Sequence, residues 1–280
     1  MTSLLFALIS VIGTALVRIT LKHCLVVSDK AWPTLIVYHI GGALILLPFL
    51  GLPNLAALSW HQSSLLLISG LLFAVAGILD IQAMKRIDAS SGEIFHTLTF
   101  ILSVAAGFIL FKEACSLQKM LGTALIAGGI LYEARKTHLQ AGYGFVFKLG
   151  AALFTALAVI VTKELTADTP SEIIILSGFI VPGVVYLVAG ARDLGEILPS
   201  ITISKGRLLP IPVFEAIAYS FAIKALALGE ISTTYMVFQT TITAVLCLEV
   251  LANGWKREVY LERAISGGLC MMGALVALIA

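Results

Sequence analysis

The sequence predicts an all-α integral membrane protein: ten transmembrane helices arranged as two inverted five-helix repeats. Three observations lead there. Of 280 residues, 59% are hydrophobic and 12% charged, and a mean hydropathy of +1.03 is far above that of a soluble domain. Ten apolar stretches, each near the ~20 residues needed to cross a hydrocarbon core, occupy most of the chain. Short patterns in the first half also recur in the same order in the second. The remaining residues suffice only for termini and connections, which excludes a separate catalytic domain, a nucleotide-binding ATPase domain and a nucleic-acid-binding arm. A net charge of +2 adds no whole-protein field.

In chain order the first stretch covers residues 3–21. It lacks a basic leader, and Arg18, Lys22 and His23 do not form a small-residue cleavage site, so it reads as a retained helix rather than a signal peptide. The second, 33–52, follows Trp32, an interfacial anchor, and holds His39 at its middle, expected to bond a neighbouring helix. The third, 64–84, contains the unbroken run Leu65 to Leu79, which does not alternate polar and apolar residues and so excludes a membrane barrel. The fourth, 94–111, follows after a very short connection, and the fifth, 118–134, ends near a second anchor, Tyr132. The second half supplies stretches at 144–162, 173–191, 208–228, 231–252 and 264–280, with a similarly short link between its third and fourth members. Gly, Ala, Ser and Thr are interspersed throughout, as in helices that pack closely in lipid. Cys24, Cys115, Cys247 and Cys270 show no metal or disulfide spacing and read as packing residues.

The internal recurrences are specific. Ala83-Met84-Lys85 leading to Gly92-Glu93-Ile94 resembles Ala222-Ile223-Lys224 leading to Gly229-Glu230-Ile231. Thr14-Ala15-Leu16 with Lys22 matches Thr155-Ala156-Leu157 with Lys163, and Gly122 with Gly128 matches Gly267 with Gly273. The chain therefore divides into a repeat at 1–136 and another at 142–280, with the seam near 135–144. Five spans per repeat oblige the second to enter the membrane from the opposite side, which is a secondary-transporter architecture.

With the ten spans, the two short links and Phe111-Lys112-Glu113 followed by Gly122-x5-Gly128, the chain resembles the paired EamA repeats of the drug/metabolite transporter superfamily. The resemblance implies a central cavity lined by spans 1, 3, 4, 6, 8 and 9, and both termini in the cytoplasm. In the second repeat the counterpart of Glu113 is either Glu249 or Glu258. The charge count opposes the implied orientation. Fourteen of the 18 Lys and Arg residues fall on the odd-numbered connections, among them Arg18, Lys22 and Lys148, whereas Lys112, Lys119, Lys163 and Lys224 fall on the even ones. The positive-inside rule then puts both termini outside.

Ionisable groups at bilayer depth are functional candidates by default. Asp80 either pairs with Lys85 or Arg86 near the interface or lines a cavity. Glu215 lies about seven residues inside its span with Tyr219 four residues on, hence on the same face, and is the strongest candidate. Glu93 could oppose the dipole of a helix capped by Ser91, and His96, one turn deeper, is suited either to relaying protons or to a neutral hydrogen bond. In span nine, Tyr235 and Gln239 share a face and suit an uncharged polar ligand.

HExxH, GxGD, GxSxG and GxxxxGK[ST] motifs are absent, and single acids distributed unequally between two halves do not form the rings of a symmetric channel. The resulting expectation is a secondary transporter, not an enzyme, in the cell (inner) membrane. It would move a small polar, amino-acid-like solute, with or without proton coupling, using Glu215, Tyr219, Asp80, His96, Tyr235 and Gln239. No cofactor, metal or nucleic acid is expected, and the protein would be a monomer or weak homodimer. An intramembrane enzyme acting on a lipid-linked substrate is the alternative.

Overall fold

The computed structural model describes residues 2–28, 30–51, 58–254 and 257–278, and among them there are helices and no strands. The first half forms α1 (Thr2–Ser28), α2 (Ala31–Leu50), α3 (Trp60–Met84), α4 (Ala89–His96), α5 (Leu98–Ile109) and α6 (Leu117–Ala141). The second forms α7 (Tyr143–Leu165), α8 (Ser171–Ala189), α9 (Ile197–Ile203), α10 (Pro210–Leu228), α11 (Ile231–Phe238), α12 (Thr241–Asn253) and α13 (Arg257–Leu278). Among the described residues eight helices, counting α4 with α5 and α11 with α12 as one each, are long and apolar enough to cross a membrane. The fifth and tenth predicted stretches correspond to α6 and α13, of 25 and 22 residues, which pack against each other.

Starts follow local chemistry. Ser59 and Gln62 form a reciprocal capping box at α3, and Ser116 caps α6 by accepting from the Lys119 amide. Along α1, Ala7, Val11 and Ala15 are buried while Leu5, Leu8 and Ile12 are exposed. An apolar outer face of this kind suits lipid and not water.

The principal packing partners join the two halves: α1 with α10, α3 with α7, α2 with α8, and α6 with α13. Small residues set the distances. A Cβ on Gly13 would stand 2.9 Å from that of Ala218, and one on Gly273 would stand 2.5 Å from the Gly122 carbonyl oxygen. Gly128, paired by sequence with Gly273, has open space where a Cβ would point, with nothing within 4 Å, and the close approach on that turn belongs to Gly129 against Ser266 and Cys270.

Two spans are broken at mid-length. α4 gives way to α5 at Thr97, whose hydroxyl donates to the Ile94 carbonyl, and α11 gives way to α12 at Gln239 and Thr240, where the Thr240 hydroxyl donates to the Val237 carbonyl. Each of these carbonyls also accepts from the backbone amide of the same threonine, so the side-chain bond reinforces the turn at which the helix is interrupted.

Several contacts occur twice. Lys22 Nζ donates to the carbonyls of Met84 (2.6 Å) and Ile87 (2.8 Å) at the end of α3, and Lys163 Nζ to those of Leu226 (2.7 Å) and Gly229 (2.8 Å) at the end of α10. Glu113 accepts from the amides of Ile231 (2.7 Å) and Ser232 (3.1 Å) at the start of α11, and Glu249 from that of Ser90 (3.3 Å) at the start of α4. Lys119 bonds Glu230 (2.8 Å) and the Ser232 hydroxyl (3.0 Å); Arg263 bonds Asp88 and the Ser90 hydroxyl (3.2 Å). Glu249 thus repeats the contacts of Glu113, while the side chain of Glu258 lies outside the described residues. The recurrence of Gly-Glu-Ile does not fall at equivalent places: Glu230 immediately precedes α11, whereas Glu93 is the fifth residue of α4 and Asp88 precedes it.

Candidate functional site

Four charged side chains from four helices meet in the interior. Arg18 of α1 pairs with Asp80 of α3 and, through Nε at 2.9 Å, with Glu93 of α4. Lys148 of α7 pairs with the other Asp80 oxygen and lies 3.7 Å from Glu93. Lys148 is fully buried, and Asp80 and Glu93 nearly so. Two cations against two anions make the cluster neutral, the condition under which ions are tolerated in an apolar interior.

This overturns several sequence expectations. Asp80 does not pair with Lys85 or Arg86; its partners are Arg18 and Lys148, and Arg86 donates to Gln82. Ser91 does not cap α4 but donates to Glu133 at 2.8 Å, and Glu93 faces inward rather than toward the helix start. Arg18, Lys22 and Lys148 are not in connections, because α1 continues to Ser28 and α7 already begins at Tyr143. His39 bonds within its own helix, to the Leu35 carbonyl at 3.2 Å, and meets its neighbour by ring contact with Tyr186. Of the four cysteines only Cys24 and Cys270 are buried; Cys115 and Cys247 are exposed.

Beside the ionic cluster lie two adjoining cavities, of about 160 Å³ and 140 Å³, which share Arg18, His96, Glu215 and Tyr219 as walls. The first reaches Asp80 and is otherwise largely aromatic, with Tyr38, His39, Phe73 and Phe179. The second is lined by hydroxyl and amide groups, including Ser10, Thr14, Thr99, Tyr235 and Gln239. Helical spacing accounts for much of this. Ser10, Thr14 and Arg18 are successive fourth residues of α1, and Glu215 and Tyr219 are one such pair on α10. Both helix breaks, Thr97 and Gln239, border the second cavity. All six candidates from the sequence therefore border this pair of cavities: Asp80 the first, Tyr235 and Gln239 the second, and Glu215, Tyr219 and His96 both.

Glu215 stands apart from the ion pairs. Among the described residues no basic group lies within ion-pair distance of it, and its hydrogen-bonding neighbour is the Tyr38 hydroxyl. Tyr219 is wedged edge-on between Phe73 (5.8 Å) and Phe179 (5.5 Å), over Gly178, where a Cβ would come within 2.4 Å of its hydroxyl. The His96 Nδ1 atom is buried without a hydrogen-bond partner among the described residues. Sequence reasoning missed Arg18 and Lys148 as site residues, although a basic residue close to a stretch end with an acid elsewhere at depth is a signal that could have paired them.

A protein of known crystal structure superposes over 97% of this chain and 97% of its own length, with a TM-score of 0.67 and 16% sequence identity. That likeness establishes the fold alone. No protein-family model and no curated protein matches the chain.

Proposed function

We propose that this protein is a secondary transporter of the drug/metabolite transporter superfamily, with ten spans in two inverted repeats, moving a small polar solute by alternating access. The observation that carries the proposal is a pair of cavities with buried polar groups inside an apolar bundle, walled chiefly by α1, α2, α3 and α4 from one half and by α8, α10, α11 and α12 from the other. A site between two halves changes its exposure when they rock about it. The twofold contacts of Lys22 with Lys163 and of Glu113 with Glu249 support the duplication.

We further propose that the odd connections are cytoplasmic. Setting aside Arg18, Lys22, Lys148 and Arg263 on that side and Lys119 and Lys163 on the other, whose partners are given above, ten of the basic residues in the sequence fall on the odd side against Lys112 and Lys224 on the even. The bias survives removal of the buried charges. Purified protein in liposomes, challenged with a metabolite panel with and without a pH gradient, tests the function. Solute flux that depends on Glu215 is expected; product formation without flux would instead indicate an intramembrane enzyme.

A further inference from the structure

The pairing of charges in the site says which charge its ligand carries. Arg18 and Lys148 are balanced by Asp80 and Glu93, so these four groups leave no net positive charge at the cavities for a ligand carboxylate. Glu215 is the remaining acid on the cavity walls; the Tyr38 phenol is beside it, and Arg18, the cation that acts on it, is already ion-paired with Asp80 and Glu93. A carboxylate in an apolar bundle is costly unless it takes up a proton or a positive partner. The surrounding walls are suited to the same partner. Tyr38, Phe73, Phe179 and Tyr219 line the first cavity with Glu215, and aromatic faces attract an ammonium most strongly where water is excluded.

We infer that the first cavity is an ammonium site, in which Glu215 forms the ion pair and the surrounding rings the walls, and that the preferred solute is an amine without a carboxylate. The inference deepens the transport proposal and rests on it only for the fate of the bound amine. The second cavity, with its hydroxyls and amide, takes the neutral remainder of the solute.

Three probes that share a phenylethyl unit test this: 2-phenylethylamine, phenylalanine and 3-phenylpropionate, titrated calorimetrically into the full-length protein in nanodiscs. The amine is expected to bind at least tenfold more tightly than the amino acid, and the acid not to bind. Glu215→Gln should lose at least tenfold in amine affinity, and Phe73→Leu a smaller, several-fold amount, both with unfolding temperatures measured alongside. Should Glu215→Gln fail to fold, Phe73→Leu and the ranking of the three probes still decide. Equal or tighter binding of the amino acid, preference for the acid, binding unchanged in the variants that fold, or binding of none of the three overturns the inference. Amine binding that shows the expected dependence but no amine flux in liposomes leaves the inference standing and removes the transport proposal.

Discussion

Lys148 and Arg18, from helices 130 residues apart in sequence, hold the same two carboxylates, Asp80 and Glu93. Removing one member strands a buried charge. Lys148→Met is expected to destabilise the protein by about 3–5 kcal/mol, the scale for breaking a buried pair from one side. Lys148→Met combined with Asp80→Asn should recover most of that loss. Thermal unfolding in detergent measures both, and simple additivity of the two substitutions would refute the pairing as an energetic unit.

Lys22 and Lys163 each bring an ammonium to two terminal carbonyls of a neighbouring helix, α3 and α10 respectively. Such ends carry unsatisfied acceptors and the negative pole of the helix dipole. Lys22→Met and Lys163→Met should each cost about 1.5–3 kcal/mol, as expected for charge-assisted hydrogen bonds. Their effects should be alike in size and additive in the double variant. A large effect from one and none from the other would argue against equivalent roles.

The bond donated by Lys119 lowers the pKa of Glu230, just outside the start of α11, below its ordinary value of 4.5. A depressed carboxylate stabilises the fold above its unfolded-state pKa, and that contribution disappears as pH falls through the folded-state value. The difference in unfolding temperature between the wild type and Glu230→Gln should therefore be constant above about pH 5.5 and close below about pH 4.5. A gap that widened on acidification would have the wrong sign for this latch.

Cys115 lies exposed in the connection between α5 and α6, whereas Cys24 and Cys270 are buried and Cys247 sits on the apolar span formed by α11 and α12. With the odd connections in the cytoplasm, Cys115 faces outward. A membrane-impermeant maleimide should label it in intact cells, and Cys115→Ser should abolish the signal. Labelling only after the membrane is opened would reverse the orientation.

Much of the bundle is legible in the sequence because hydropathy registers long apolar runs whatever they pack against. The eight apolar helices fall where those runs lie, and Glu215 with Tyr219 share a face as their spacing requires. Interior charges are harder to read. The first apolar stretch stops short of Lys22 although α1 runs to Ser28, and Arg18 and Lys148, each near an end of its stretch, pass for markers of a membrane surface. Nothing local to Arg18 reveals Asp80, 62 residues away, as its partner. The breaks at Thr97 and Gln239 are equally hidden, since the flanking residues are compatible with an unbroken helix. Glu93 is misplaced by sequence because α4 begins at Ala89, five residues before the apolar stretch that marks it.

The four-membered ionic cluster also ties the two halves of the chain together electrically. Within the first half one cation, Arg18, faces two carboxylates, Asp80 and Glu93. Lys148, the second counter-ion, comes from α7 of the second half. Neither half is therefore neutral at this point without the other.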